Sequence, residues 1–190
     1  MDHIDEPSLV ASCQAGRLED FDPLYRAYVS RIYAYLYRRT LHREVAEDLT
    51  SQTFIKALEG IGGYAPRKGP FAAWLYTIAR NALTDHFRSR RETVDIENVW
   101  DLSSDADVQS DVGNRLEYEK LREALQNLDA HKREIVMLRL WDGLSYKEIA
   151  ALTGKTETNC KVIFSRTLDS LRKELPLLAF LLLLLSPFRP

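Results

Sequence analysis

The sequence predicts an all-α protein built as two small helical domains joined by an acidic linker. Three observations carry that expectation. Apolar residues recur at steps of three and four along nearly the whole chain, and no segment alternates convincingly as a strand. Thr93–Asn114 breaks this pattern with six acids and no Lys or Arg. Beyond it, a short helix, a glycine and a longer helix follow one another closely. A length of 190 residues accommodates one large domain or two small ones, and the acidic interruption favours two.

The first helix runs through Phe21–Tyr37, where Phe21, Leu24, Tyr25, Tyr28, Ile32, Tyr33 and Leu36 supply the apolar steps. A second is expected over Arg43–Gly60. Ala46, Thr50, Phe54, Ala57 and Leu58, with Ile61 beyond, form its core side. Opposite lies a stripe of Val45, Asp48, Leu49, Gln52 and Lys56, mixing exposed aliphatic residues with charge and amide. Such a mixture suits a protein contact, and equally a solvated face. The connection Gly62–Pro70 holds three glycines and two prolines and cannot continue a helix. The next helix, Phe71–Arg90, buries Phe71, Leu75, Ile78 and Ala82, with Trp74 and Ala79 alongside.

In the second half, Leu144–Gly154 reads as a short helix with Ser145 as N-cap and Glu148 at capping-box spacing. Gly154 permits the turn. In the helix that begins near Thr156, Cys160, Ile163, Phe164, Thr167, Leu168 and Leu171 share one side. Thr158, Lys161, Val162, Ser165, Arg166 and Asp169 share the other. A helix of this kind fits the DNA major groove, where base edges display donors and acceptors. Lys155–Lys173 carries five bases against two acids, Glu157 and Asp169. A plain helical hairpin with a solvated face would share the periodicity.

A net charge of −2 excludes a protein drawn to nucleic acid by its overall charge. Locally the balance differs. Tyr64–Arg91 has six bases, Arg67, Lys68, Arg80, Arg88, Arg90 and Arg91, against the single acid Asp85. They are interleaved with Tyr64, Phe71, Trp74, Tyr76 and Phe87. Cations track a phosphate backbone while rings stack unpaired bases, a pattern suited to single-stranded nucleic acid. Core packing is the competing role for Phe71 and Trp74. Tyr64, in a glycine-flanked loop, has less reason to be buried and is the better candidate for gripping an extruded base.

Catalysis is not expected. His3, His42, His86 and His131 lack metal-ligand spacing, and no glycine-rich phosphate loop or nucleophile elbow is present. Neither metal nor cofactor is therefore expected. Cys13 and Cys160 lie far apart without a CxxC pattern, which fits a reducing compartment. The acidic, polar start contains no secretory signal, so a cytoplasmic location is expected.

Three segments, Ala46–Ala57, Phe71–Asp85 and the helix-turn-helix ending in Phe164–Arg172, together resemble the extracytoplasmic-function (ECF) sigma factors in order and spacing. The likeness covers about residues 18–175, and Trp-Leu-Tyr-x-Ile-Ala-Arg-Asn is its most specific part. The resemblance implies sigma domain two over residues 18–92, an acidic linker over 93–114, sigma domain four over 115–175 and an added apolar tail over 176–190. It implies binding of core RNA polymerase through Asp48, Leu49, Gln52 and Lys56 on the clamp of the largest subunit, with a second contact to the flap of the second largest. Promoter −10 recognition and melting would fall to Tyr64, Arg67, Lys68, Trp74, Thr77, Arg80, Asn81 and Arg88, with Tyr64 and Asn81 lining a pocket for an extruded base. The −35 element would be read by Glu157, Thr158, Lys161, Val162, Ser165 and Arg166. An anti-sigma protein is a further implied partner. A conventional DNA-binding regulator would share the helix-turn-helix but leaves the basic, ring-bearing helix unexplained.

The resemblance implies that the linker threads toward the polymerase active centre and RNA exit path; a flexible spacer is the alternative. In the tail, Leu177–Leu185 reaches about 14 Å as a helix, short of the ~30 Å hydrocarbon core of a bilayer. It is expected to fold back on the second domain as a plain apolar extension, the alternative being that it docks on the chain's own domains or a partner and restrains the free factor.

Overall fold

The computed structural model describes residues 5–89 and 112–185, and no strand occurs among them. The described residues fall into two compact units, one over 5–89 and the other over 112–185.

The first unit contains four helices among the described residues: α1 (Glu6–Gln14), α2 (Phe21–Thr40), α3 (Arg43–Gly60) and α4 (Phe71–Ser89). Helix α1 is an addition to what the sequence pattern predicts. Asp5 caps it by accepting from the Ser8 backbone N–H at 3.3 Å, and proline stands in its first turn. Only Val10, Ser12 and Cys13 are buried from it, too small and polar a set to register as an amphipathic stripe.

Helix α2 buries Leu24, Tyr28, Ile32, Tyr35 and Leu36. It ends on Leu41, a left-handed residue (φ 51°) in the place glycine usually takes after a helix. Helix α3 packs along both α2 and α4, which meet each other more sparingly. A helix between two neighbours must hide a wide arc, and α3 buries Ala46, Leu49, Thr50, Thr53, Phe54 and Ala57. The two buried hydroxyls are satisfied within the helix: Thr50 donates to the Ala46 carbonyl and Thr53 to the Leu49 carbonyl, both at 2.7 Å.

The connection to α4 holds two single 3-10 turns, Ile61–Gly63 and Pro66–Lys68. Helix α4 then turns a face rich in small residues inward. Ala72, Ala73, Ala79 and Ala82 are at most 4% exposed and let the backbones approach closely. Phe71 and Tyr76 anchor it through edge-on contacts with Tyr28 and Tyr35, at centroid separations of 5.7 and 5.1 Å. Ile78 and Trp74, expected on the buried stripe, are only half-buried; the inward face is rotated toward Ala73, Tyr76 and Leu83.

The second unit contains α5 (Val112–Gln126), α6 (Ala130–Leu140), α7 (Tyr146–Thr153), α8 (Glu157–Glu174) and α9 (Leu177–Leu185). Most of the expected linker, residues 93–111 of it, lies outside the described residues; its last three residues already belong to α5. Asp129 caps α6, accepting from the His131 and Lys132 N–H groups. From α6, Arg133 Nη1 reaches back to the Leu125 and Gln126 carbonyls, each at 3.3 Å, and so satisfies the end of α5. The α7 capping box forms as the spacing predicts, with Ser145 and Glu148 each accepting the other's backbone N–H. Gly154 takes the left-handed conformation (φ 69°) that ends α7.

The apolar tail folds back on this second unit. Helix α9 packs on α5 and α8, burying Ala179 and Leu183 in a core that includes Leu121, Leu125, Met137, Trp141, Leu171 and Leu175. Trp141 Nε1 donates to the Leu183 carbonyl at 3.2 Å, fixing the last turn. The other side of α9 stays in contact with solvent: Leu177 is 76% exposed and Leu185 72%. Among the described residues no helix is long and apolar enough to cross a membrane.

The two sides of α9 predict different energetics. Leu183→Ala, which opens a cavity beneath Trp141, is expected to lower stability by about 2–4 kcal/mol. Leu184→Ala, on the outer side, should change it by no more than about 0.5 kcal/mol. Urea denaturation followed by Trp fluorescence checks both.

Candidate nucleic-acid interface

Asp48, Gln52 and Lys56 lie exposed along one side of α3, as the expected contact face requires. Leu49 does not join them. It is 3% exposed and belongs to the core, because α3 is gripped by two helices and its apolar arc extends one position further round than a single-neighbour wheel allows. The aliphatic member of the outer face is instead Ile55, 57% exposed and one turn beyond Gln52 and Ser51. An isoleucine flanked by Gln52 and Lys56 looks like core on sequence; its position between Asp48 and Glu59 at helical spacing was the available signal.

Around the α3–α4 connection, Tyr64 is half-buried and not a free ring. Its hydroxyl donates to the Gly69 carbonyl at 2.9 Å, and its ring packs 5.1 Å from Trp74 and 5.7 Å from Phe71. Burial, helped by the nearby Glu6 charge, pushes the phenol pKa above its ordinary value, so the hydroxyl stays protonated and able to donate. The expectation of an exposed gripping tyrosine thus gives way to a cluster in which Phe71 is core, Tyr64 is wall and Trp74 is the half-exposed ring. Tyr76, counted with the surface rings by sequence, is wholly buried against Tyr35. Arg67 and Lys68 stand exposed on the second 3-10 turn.

From Trp74, the outer face of α4 continues through Thr77, Asn81, Asp85 and Arg88, all four exposed, at helical spacing. Thr77 donates its hydroxyl hydrogen to the Ala73 carbonyl at 2.8 Å, leaving its oxygen lone pairs and methyl group outward. Arg80 is half-buried on the flank. Arg88 lies 3.8 Å from Asp85, but both are well exposed, so a phosphate can displace this contact at little cost. Arg90 and Arg91 fall outside the described residues.

In α8, Cys160, Thr167 and Leu171 point into the core while Glu157, Thr158, Lys161, Val162, Ser165 and Arg166 are all exposed on the opposite side. The N-cap Thr156 accepts from the Asn159 N–H at 3.2 Å. Lys161 is already engaged: its Nζ lies 2.8 Å from Glu157 and 5.7 Å over the Tyr146 ring of α7. Glu157 therefore screens one of the two cations on this face. Val162, 40% exposed, leaves an apolar patch on this face.

Among the described residues no group of three His, Cys, Asp or Glu side chains is placed to hold a metal ion.

Comparison with known proteins agrees with this arrangement. The Sigma-70 region 2 family model matches residues 24–93 and the Sigma-70, region 4 model matches residues 118–171. The chain is 37% identical over 176 residues to the ECF RNA polymerase sigma factor BldN of Streptomyces coelicolor, spanning 88% of this chain and 65% of that protein. It is 30% identical over 161 residues to the RNA polymerase sigma factor YlaC of Bacillus subtilis, spanning 83% and 92%. With CarQ of Myxococcus xanthus the identity is 31% over 158 residues, spanning 83% and 90%. CnrH, solved in complex with the cytosolic domain of CnrY, shares the fold at a TM-score of 0.58 and 23% identity, over 87% of this chain and 93% of that one. Two helical units, each matching one of the sigma regions, together with these relatives, establish that the chain belongs to the ECF sigma factors, which direct RNA polymerase in transcription initiation.

Proposed function

We propose that the two units divide promoter recognition between a single strand and a duplex, and that the α3 face seats the factor on core RNA polymerase. The observation that carries this reading is the outer face of α4: Trp74, Thr77, Asn81 and Arg88 are presented together, beside Arg67 and Lys68, by a helix whose other side is locked in the core. A ring, a hydroxyl, an amide and cations in that order can hold an unpaired base and the phosphates that flank it. In this reading Tyr64 walls the site behind Trp74, and Arg80 supports it from the flank.

The polymerase contact uses Asp48, Gln52, Ile55 and Lys56, an aliphatic centre ringed by polar groups, against the clamp of the largest subunit. The C-terminal unit reads the −35 element as duplex. Lys161 meets phosphate once it leaves Glu157, while Thr158, Ser165 and Arg166 reach base edges and Val162 a thymine methyl. That unit also carries the contact to the flap of the second largest subunit. The solved CnrH and RpoE are each held by another protein, CnrY and the anti-sigma factor NepR respectively. A protein of that kind is the third partner in this reading, and the site of action is the cytoplasm. The factor contributes binding energy and strand capture, with no bond-making chemistry of its own.

Two outcomes follow. Ile55→Glu should weaken affinity for core polymerase at least about tenfold, about 1.4 kcal/mol, without lowering the thermal midpoint, since Ile55 lies outside the core; competition binding against labelled wild-type factor measures it. In the C-terminal unit, Arg166→Ala should cost about 1–3 kcal/mol and relax preference at one base pair. Lys161→Ala should weaken all sequences alike and reduce the salt slope by about one. Holoenzyme binding to a mutated −35 panel at several salt concentrations separates the two.

A further inference from the structure

Helix α1 precedes the region 2 match, which begins at residue 24, and carries none of the side chains proposed above to meet polymerase or DNA. Its last residue nevertheless reaches the DNA-facing loop. Gln14 Nε2 donates to the Ile61 carbonyl at 2.9 Å and to the Tyr64 carbonyl at 2.7 Å. Both hydrogens of one amide are thereby spent on the two carbonyls that bracket Gly62 and Gly63.

The bracket is closed on itself by one backbone bond, the Tyr64 N–H donating to the Ile61 carbonyl at 3.1 Å, and Gln14 adds a tie from outside the turn. A Cβ built at Gly62 or Gly63 would meet nothing within 4 Å, so these glycines are not required by close packing. Neither has a positive φ, so they are not required by backbone conformation either. Two glycines that neither packing nor φ demands leave a single 3-10 turn with no side chain of their own to hold it against its neighbours. The far end of the loop is tied by the Tyr64 hydroxyl on Gly69. Gln14 supplies the tie at the near end, and α1 is itself held to α2 by the Tyr28 hydroxyl donating to Glu6.

We propose that Gln14 is a positioning residue for promoter opening: from α1 it clamps the Ile61–Tyr64 turn, and thereby sets Tyr64, and with it Trp74, for capture of the unpaired base. The proposal rests on this loop facing DNA. Gln14 is exposed at a helix end and bonds to backbone carbonyls without packing its side chain in the core, so its loss leaves the fold standing. A glutamine at this position trades no charge with the DNA; it acts through the loop's shape.

The test uses the full-length chain bound to core RNA polymerase on a promoter fragment carrying 2-aminopurine in the −10 segment, whose fluorescence rises on unstacking. Gln14→Met keeps length and removes both donors; Gln14→Glu places a carboxylate against two carbonyls. Both are compared with Tyr64→Ala and with Arg67→Ala/Lys68→Ala, on duplex and on a fragment already unpaired in the −10 segment. Expected are opening rates about three- to tenfold slower for Gln14→Met and slower again for Gln14→Glu, with core affinity and thermal midpoint unchanged. On the pre-opened fragment the difference should narrow. Wild-type opening by Gln14→Met, with the loop variants impaired, defeats the clamp alone. Equal slowing on both fragments, or loss of core binding, assigns Gln14 to general structure and also defeats it. If the loop variants themselves open the promoter normally, the DNA-facing reading fails, and the clamp with it.

Discussion

The fit of α4 against α2 and α3 is the constraint on which the N-terminal unit depends. Four alanines bring the helix close, and Phe71 and Tyr76 lock its rotation by filling gaps beside Tyr28 and Tyr35. Burying one such aromatic ring contributes about 2–3 kcal/mol. Turning the helix by one residue would expose Tyr76 and bring polar Thr77 inward, which a marginally stable domain cannot sustain. The outward direction of Trp74, Thr77, Asn81 and Arg88 is therefore a consequence of core packing. The surface proposed to hold a DNA strand is pre-organised by the same contacts that hold the fold, so little ordering entropy remains to be lost on binding.

Helix α8 obeys the same logic with a different edge. Cys160, Thr167 and Leu171 fix its inner side, so the hydrogen-bonding residues face away from the core together. Here the face is partly self-satisfied, through the Lys161–Glu157 pair. An exposed pair of this kind contributes little to stability; in the proposed reading it is exchanged for phosphate when DNA arrives and tempers attraction to arbitrary sequence. A chain with a net charge of −2 can still present locally positive surfaces, because its acids gather elsewhere, six of them in Thr93–Asn114.

Much of this was legible in the sequence. The bounds of α3, the capping box of α7, the glycine turn and the outward face of α8 all followed from spacing and residue chemistry. What was not legible depends on how many neighbours an element has. Leu49 and Tyr76 are apolar or ring-bearing residues at the margin of a wheel, and only the second packing partner of α3 and the tyrosine of α2 decide that they turn inward. Tyr64 is less exposed than a glycine-flanked loop suggests, because the loop curls so that its hydroxyl meets Gly69. Helix α1 escaped notice because its inner side is serine, cysteine and a single valine. The tail announced itself by composition, but that it would fold onto α5 and α8 required Trp141 and its bond to Leu183.

The central claim is that the α4 surface holds a separated strand only when the α3 face is seated on the enzyme. Permanganate reactivity of thymines across the start-site region of a linear promoter fragment tests it most directly, with core polymerase alone, this chain alone, and both together. The account predicts reactive thymines only in the combined sample. Reactivity produced by the chain alone, or no more reactivity in the mixture than with core polymerase alone, would contradict it.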